Sequence, residues 1–335
     1  MSESQQSFQF GSLVRILFEI QVICQCQFLR RAQLERSKLI HMRFSELSIR
    51  KEDIQRDGEF ASIGIAREGK PKSLVAIRTS EEFELAIRSG SVSCIIVRRD
   101  SLKEAPSNLG VLLSDDPETA LFEIHNHLAS NADFYPRGKG NEISRSAKVH
   151  PTAFIAETGV RIGSNCEVAP RAAIMGKSML EDGVKIGPGT VIGGETIRAY
   201  RKDTQVIPVV STGGVQLRKA VEIHANCLVD RATFGGCTEI GEYSRFDNMV
   251  SVSQNSKLGR RTIVTACSVI GENVVMGDDV WIGPNATVSD EIRIGDSAFI
   301  TIGAVVVEDV PPHKKVSGNY AIDHQKFIEF IKKIR

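Results

Sequence analysis

The sequence predicts a small α/β domain followed by a parallel β-helix built from hexapeptide repeats, with a short helix at the carboxyl end. Three observations carry this. Apolar residues recur every sixth position through Ile240, Phe246, Val252, Leu258, Val264, Ile270, Met276, Ile282, Val288, Ile294, Ile300 and Val306. Ten of the twelve residues that follow these anchors are small, among them Gly241, Gly259, Gly271, Gly277, Gly283 and Gly295. The text before residue 137 lacks this beat and alternates instead between short apolar runs and helical spacing.

A helix does not explain the beat, because positions six apart on a 3.6-residue period lie about 240° apart and would spiral around every face. One strand fails as well: at about 3.3 Å per residue it would form a rod far longer than any strand. A solenoid of short strands, each giving one inward side chain before it turns, satisfies the pattern. Glycine after the anchor suits a tight corner, since it has no Cβ. The beat also runs through Ile162, Val168, Ile174, Leu180, Ile186 and Ile192, and through Leu217, Ile223 and Val229. Between these two runs, residues 193–215 break it and read as a loop thrown outward from one corner, a place where solenoids carry function.

In chain order, residues 1–41 form an extension of uncertain role. Its apolar stretch is interrupted by Arg15, Glu19 and Gln21, so it is a poor membrane span and a poor signal peptide. Met42 reads as an alternative start. Residues 42–136 read as the α/β domain: strands at 91–97 and 109–113, a helix over 80–89, and a second helix capped by Asp116 and Pro117 with Ala120, Leu121, Ile124 and Leu128 on one face. Residues 137–146 read as a linker and 147–310 as the β-helix. In 311–335 Pro311 and Pro312 stop the coil, and Phe327, Ile328 and Ile331 mark a helix that covers the open end.

With 335 residues and 41% hydrophobic content, the chain can hold more than one core. A formal net charge of +1 leaves no basic footprint for nucleic acid. Seven scattered cysteines without a CxxC pair fit a reducing cytoplasm and predict neither a disulfide scaffold nor a metal site.

The order of parts, with VEIHANCLVDRATF (221–234), FDNMVSVSQNS (246–256) and SGNYAIDHQKF (317–327), resembles the UDP-3-O-acylglucosamine N-acyltransferases of lipid A and lipopolysaccharide synthesis. The resemblance implies a left-handed β-helix, a homotrimer with clefts between subunits, a bacterial cytoplasmic location at most peripheral to the membrane, and no transmembrane span. It implies transfer of an acyl group from a thioester, on acyl carrier protein or coenzyme A, to the amine of a nucleotide-linked amino sugar, with no permanently bound cofactor.

In that family the base is a histidine two residues after an inward anchor, with an aspartate seven residues earlier. Asp247 takes the aspartate's place, but Gln254 stands where the histidine belongs, and an amide cannot accept a proton near neutrality. A second family histidine falls at Glu291. Two substitutes for the base are open: His224, at a coil corner, or Asp247 itself, with Gln254 and Asn255 orienting the reactants. Asp230, Arg231 and Asn248 are candidates for substrate binding, and Phe83 is the one ring available to stack on uracil. The closing coils are similar to those of acetyl-coenzyme A-dependent hexapeptide acetyltransferases, which makes Trp281, Lys314 and Lys315 candidates for the acyl donor. His150, His313 and His324 read as structural. Two alternatives stay open: a sugar N-acetyltransferase using acetyl-coenzyme A, and a trimeric binding or scaffold protein that has lost the chemistry.

Overall fold

A computed structural model of the chain describes residues 40–100, 105–130, 134, 135, 138–318, 321 and 323–334. The expectations for residues 1–39 lie outside the described residues. All the anchors named above are buried and line one continuous core inside three parallel sheets of eight, eight and nine short strands. Each coil takes eighteen residues to return to the same side, as in the register Phe246↔Val264 and Val264↔Ile282. Burying each aliphatic anchor contributes about 1.5–3 kcal/mol, and the stack repeats that gain side after side.

The glycines that follow the anchors serve a purpose other than the expected one. From Gly241 to Gly295 their φ values are not positive; instead a Cβ on Gly259 would stand 2.2 Å from the Gly277 oxygen, and one on Gly277 2.7 Å from the Asp296 nitrogen. They allow one coil to sit on the next. The left-handed turn comes two residues later, at Asn255, Arg261, Cys267, Asn273, Asp279, Asn285 and Glu291, all with φ between 55° and 63°. Asparagine and aspartate tolerate that region better than most side chains.

The β-helix is longer at both ends than the sequence suggests. Glu142–Ile143, inside the expected linker, already pairs with Arg161–Ile162. Lys315–Val316 pairs with Phe299–Ile300, so the coil continues past Pro311 and Pro312 for one more strand. A trans proline can occupy a corner whose nitrogen makes no ladder bond, which is why the pair does not end the solenoid.

The amino-terminal region is a five-stranded mixed sheet in the order Ile54–Arg56, Gly110–Leu113, Val92–Val97, Ser73–Ala76, Ser62–Gly64, with only the first strand antiparallel. Helix α1, Ser80–Ser89, begins at Thr79, whose hydroxyl accepts the Glu82 N–H, and ends at Gly90 in the left-handed region. Helix α2, Pro117–Ala129, is capped as expected: Asp116 accepts the Thr119 N–H at 3.1 Å and Pro117 opens the first turn.

The interruption at 193–215 is not a free loop. Ala199–Lys202 and Gln205–Pro208 form an antiparallel hairpin, and Tyr200 and Val209 pack into the core shared by α2 and Phe234 of the β-helix. Asn126 on α2 closes the contact by donating to the Pro208 oxygen at 2.9 Å and accepting the Val210 N–H at 3.0 Å. Helix α3 spans His324–Ile334, within the expected carboxyl-terminal segment.

Candidate functional site

Residues that follow equivalent strands stack along an edge of the prism, and this decides which candidates meet. Ile223 and Phe246 are in register, so the next residues, His224 and Asp247, project from adjacent coils on one edge. His224 Nδ1 lies 3.7 Å from Asp247 Oδ1, with side chains 54% and 45% exposed. Asn248 braces the pair: its backbone and side-chain N–H groups donate to Asp247 Oδ1 at 2.7 and 2.9 Å, and its Oδ1 accepts the Ala225 N–H at 3.1 Å.

A second edge follows the strands containing Val229, Val252, Ile270 and Val288, which pair in that order. Asp230, Arg231, Gln254, Asn255 and Glu291 all fall here, together with Glu272, which the sequence reading passed over. Gln254 is 2% exposed and its side-chain nitrogen donates to Glu272 on the next coil. Asp247 and Gln254 therefore lie on different edges of the chain. Asn255 is committed to the fold: its Oδ1 accepts the Thr233 N–H at 3.0 Å, and its own N–H donates to Thr238.

The α/β region and the hairpin segment reach over this second edge with two arginines. Arg198 Nη1 stands 3.2 Å from Glu272, its Nη2 3.6 Å from Glu118 on α2, and its guanidinium lies over the rings of Phe122 and Phe234. Arg78 pairs with Glu82 and reaches Glu291 at 3.2 Å and Glu118 at 3.6 Å. A cavity of about 20 Å³, bounded by Arg78, Glu118, Phe122, Arg198 and Phe234, lies among them. Burial raises the Glu272 pKa above the usual carboxylate value, against the pull of Arg198, and Asp290, Glu291 and Glu118 add to the rise.

Asp230 is 4% exposed, its Oδ1 has no hydrogen-bond partner, and burial pushes its pKa up to about 6. Its neighbour Arg231 turns away, donating to the Gly193 oxygen at 2.9 Å. Phe83 is a correction: it is 7% exposed, within the core beneath α1, so it has no face free to stack on a base. The helical period that makes it stand out as an aromatic also turns it inward.

Trp281 and Lys315 do share a surface, through a residue the sequence reading missed. Trp281 stacks on Phe299 at 5.7 Å with planes 5° apart, and Lys315 Nζ sits 5.1 Å from the Phe299 ring centroid. Ile263, Trp281, Phe299 and Lys315 are consecutive partners on the outer face of the nine-stranded sheet. Their eighteen-residue spacing was visible for the first three. Lys314 is exposed beside them.

The bacterial transferase hexapeptide (six repeats) model matches residues 159–194. A Helicobacter pylori protein named UDP-3-O-acylglucosamine N-acyltransferase is 28% identical over 235 residues, 63% of this chain and 68% of its own length. The chain is a hexapeptide-repeat protein similar to the UDP-3-O-acylglucosamine N-acyltransferases. A Gloeobacter violaceus protein named UDP-3-O-acylglucosamine N-acyltransferase 1 is 41% identical over 152 residues, 44% of this chain and 43% of that one. Among solved structures, the Francisella novicida UDP-N-acetylglucosamine acyltransferase matches 58% of this chain and 75% of its own, at 22% identity and a TM-score of 0.44. For this hexapeptide-repeat protein, an α/β region, a β-helix and a carboxyl-terminal helix are in place as the sequence predicts. No described helix is long and apolar enough to cross a membrane.

Proposed function

We propose that the chain transfers an acyl group from a thioester to the amine of a nucleotide-linked amino sugar, of the lipid A type, in the bacterial cytoplasm. One juxtaposition supports this best: Asp230, Arg231, Gln254 and Glu291, assigned to substrate or catalysis by resemblance, stack on a single edge beneath Arg78 and Arg198. The N-acyltransferase name of the aligned relatives supplies the reaction class.

The amine must lose a proton as it attacks, and Gln254 cannot take it. Of the two substitutes the sequence leaves open, His224 and Asp247 itself, we take His224, held near Asp247. It lies on another edge, so in this reading it serves an acceptor bound at the Gln254 edge of a second copy, within a homotrimer. Asp247 positions the imidazole, and Asn248 positions Asp247.

For the donor we assign the Trp281, Phe299 and Lys315 face, with Lys314 beside it, to the thioester's carrier. Stacked rings next to ammonium groups suit the adenine and phosphates of coenzyme A, which favours the acetyl- or acyl-coenzyme A reading over acyl carrier protein. Purified protein incubated with UDP-3-O-acylglucosamine and either acyl-coenzyme A or acyl carrier protein thioesters, followed by mass spectrometry, tests the reaction. One added acyl group is expected. No transfer from either donor overturns the reading in favour of a binding or scaffold protein.

A further inference from the structure

The Gln254 edge holds more hydrogen-bond acceptors and more negative charge than its own donors satisfy. Glu82, Glu118, Glu272 and Glu291 face two guanidinium groups, those of Arg78 and Arg198. Asp290 adds a fifth carboxylate, its Oδ1 accepting the Glu272 N–H at 2.8 Å. Within this surplus, the acceptors Gln254 Oε1 and Asn273 Oδ1 are buried without partners, beside one unpaired donor, Asn273 Nδ2, in residues 2% and 8% exposed. A buried polar group left unpaired costs about 1–3 kcal/mol, so the edge is poised for a ligand that brings donors and positive charge. An ammonium group, with three N–H donors and one charge, is that complement.

Glu272 is the carboxylate best placed to meet it. Its side chain is 22% exposed, against 29% for Glu291 and 39% for Glu118, and it is the carboxylate that the Gln254 amide touches. The Gln254 amide holds it from the preceding coil and Arg198 holds it from the hairpin segment. Arg198 also reaches Glu118, so it keeps a partner if it releases Glu272.

We propose that Glu272 receives the amine of the acceptor sugar and takes its proton during acyl transfer, with Gln254 as the positioning residue that replaces a base by orienting one. This rests on the transfer reading above but puts Glu272 in place of His224 as the proton acceptor, and needs no second copy to complete the edge. The bound ammonium gives one proton to solvent, and the neutral nitrogen then bonds to the thioester carbonyl carbon as a second N–H proton passes to the Glu272 carboxylate. The tetrahedral intermediate then breaks its C–S bond, and the departing thiolate takes that proton from Glu272. The products are an amide and a free thiol, with the carboxylate restored. The raised pKa of Glu272 makes it a stronger base than an ordinary carboxylate, in spite of Arg198.

The full-length protein is tested in two ways. In calorimetric titrations the native chain is expected to bind UDP-glucosamine at least tenfold more tightly than UDP-N-acetylglucosamine, and Glu272→Gln to lose that preference. In transfer from an acyl thioester to UDP-3-O-acylglucosamine, Glu272→Gln is expected to lower kcat about 10²-fold or more. The KM for the thioester should hold, and Glu272→Asp should recover part of the rate with a shifted acid limb of the pH profile. An unchanged thermal midpoint shows that the variants fold. A Glu272→Gln kcat within threefold of native, or a rate loss confined to His224→Ala, overturns the proposal, as does equal binding of the two sugars by the native chain. Absence of native transfer with the amine preference kept would sink the transfer reading and leave amine recognition at Glu272 standing.

Discussion

The Tyr135 hydroxyl lies 2.8 Å from His125 Nδ1, while His125 Nε2 donates to the Val210 oxygen at 2.6 Å. One fully buried imidazole thereby joins α2, the segment after it and the hairpin segment, with its ring edge-on to Phe234 of the β-helix at 4.8 Å. Burial pushes its pKa down to about 4; the Val210 carbonyl opposes this, and Lys70 and Arg198 add to it. Between about pH 4 and pH 6.5 the unfolded chain binds the proton and the native chain does not, so stability present above pH 6.5 drains away as pH falls toward 4. We expect a loss of about 3 kcal/mol from this group across that window. Urea unfolding at pH 7 and 4.5 measures it, and His125→Gln should flatten the slope.

Asp230 carries the opposite sign. Its native pKa of about 6 lies above the unfolded value of 3.8, so the ionised native form is penalised and stability falls as pH rises through 6. Asp230→Asn removes the charge and keeps the shape. The variant should be more stable than native at pH 8, by roughly 1–3 kcal/mol, and no more stable at pH 3.5. Equal stability at pH 8 would show that Asp230 is relieved by a partner in solution.

Gly259→Ala tests coil stacking. The added Cβ would stand 2.2 Å from the Gly277 oxygen, a backbone atom that cannot swing aside. We expect destabilisation of about 1–3 kcal/mol or more, seen as a lower denaturant midpoint. Gly303→Ala, where a Cβ meets nothing within 4 Å, should cost less, since only its φ of 64° resists the change.

Phe299→Ala tests the donor face. If adenine stacks beside Trp281, the variant should raise the KM for acyl-coenzyme A about tenfold at unchanged kcat, the range expected for one lost base–aromatic stack. Steady-state rates at fixed acceptor settle it, and an unchanged KM would remove this face from donor binding.

The anchors from Ile162 to Val306 were legible because a period of six leaves a solenoid as the one compact arrangement that buries every anchor. The cap of α2 was legible because a carboxylate cap acts over three residues. The site was legible in part. Gln254 and Glu272 are one coil apart, so the eighteen-residue count places them together, yet a search tied to the missing histidine looks along the chain toward Asp247 instead. Phe83 misled because an aromatic in a helix stands out in text whichever way it faces.

The sequence by itself determined the prism: spacing of apolar residues is a property of neighbours along the chain, and repetition multiplies a weak local preference into one architecture. Only the tertiary structure decided that Arg78 and Arg198 close over Glu272 and Glu291. Those pairs join segments whose separation follows no period. Their meeting depends on how α2 and the hairpin pack against Phe234, a shape that burial and side-chain volume settle after the coils have formed.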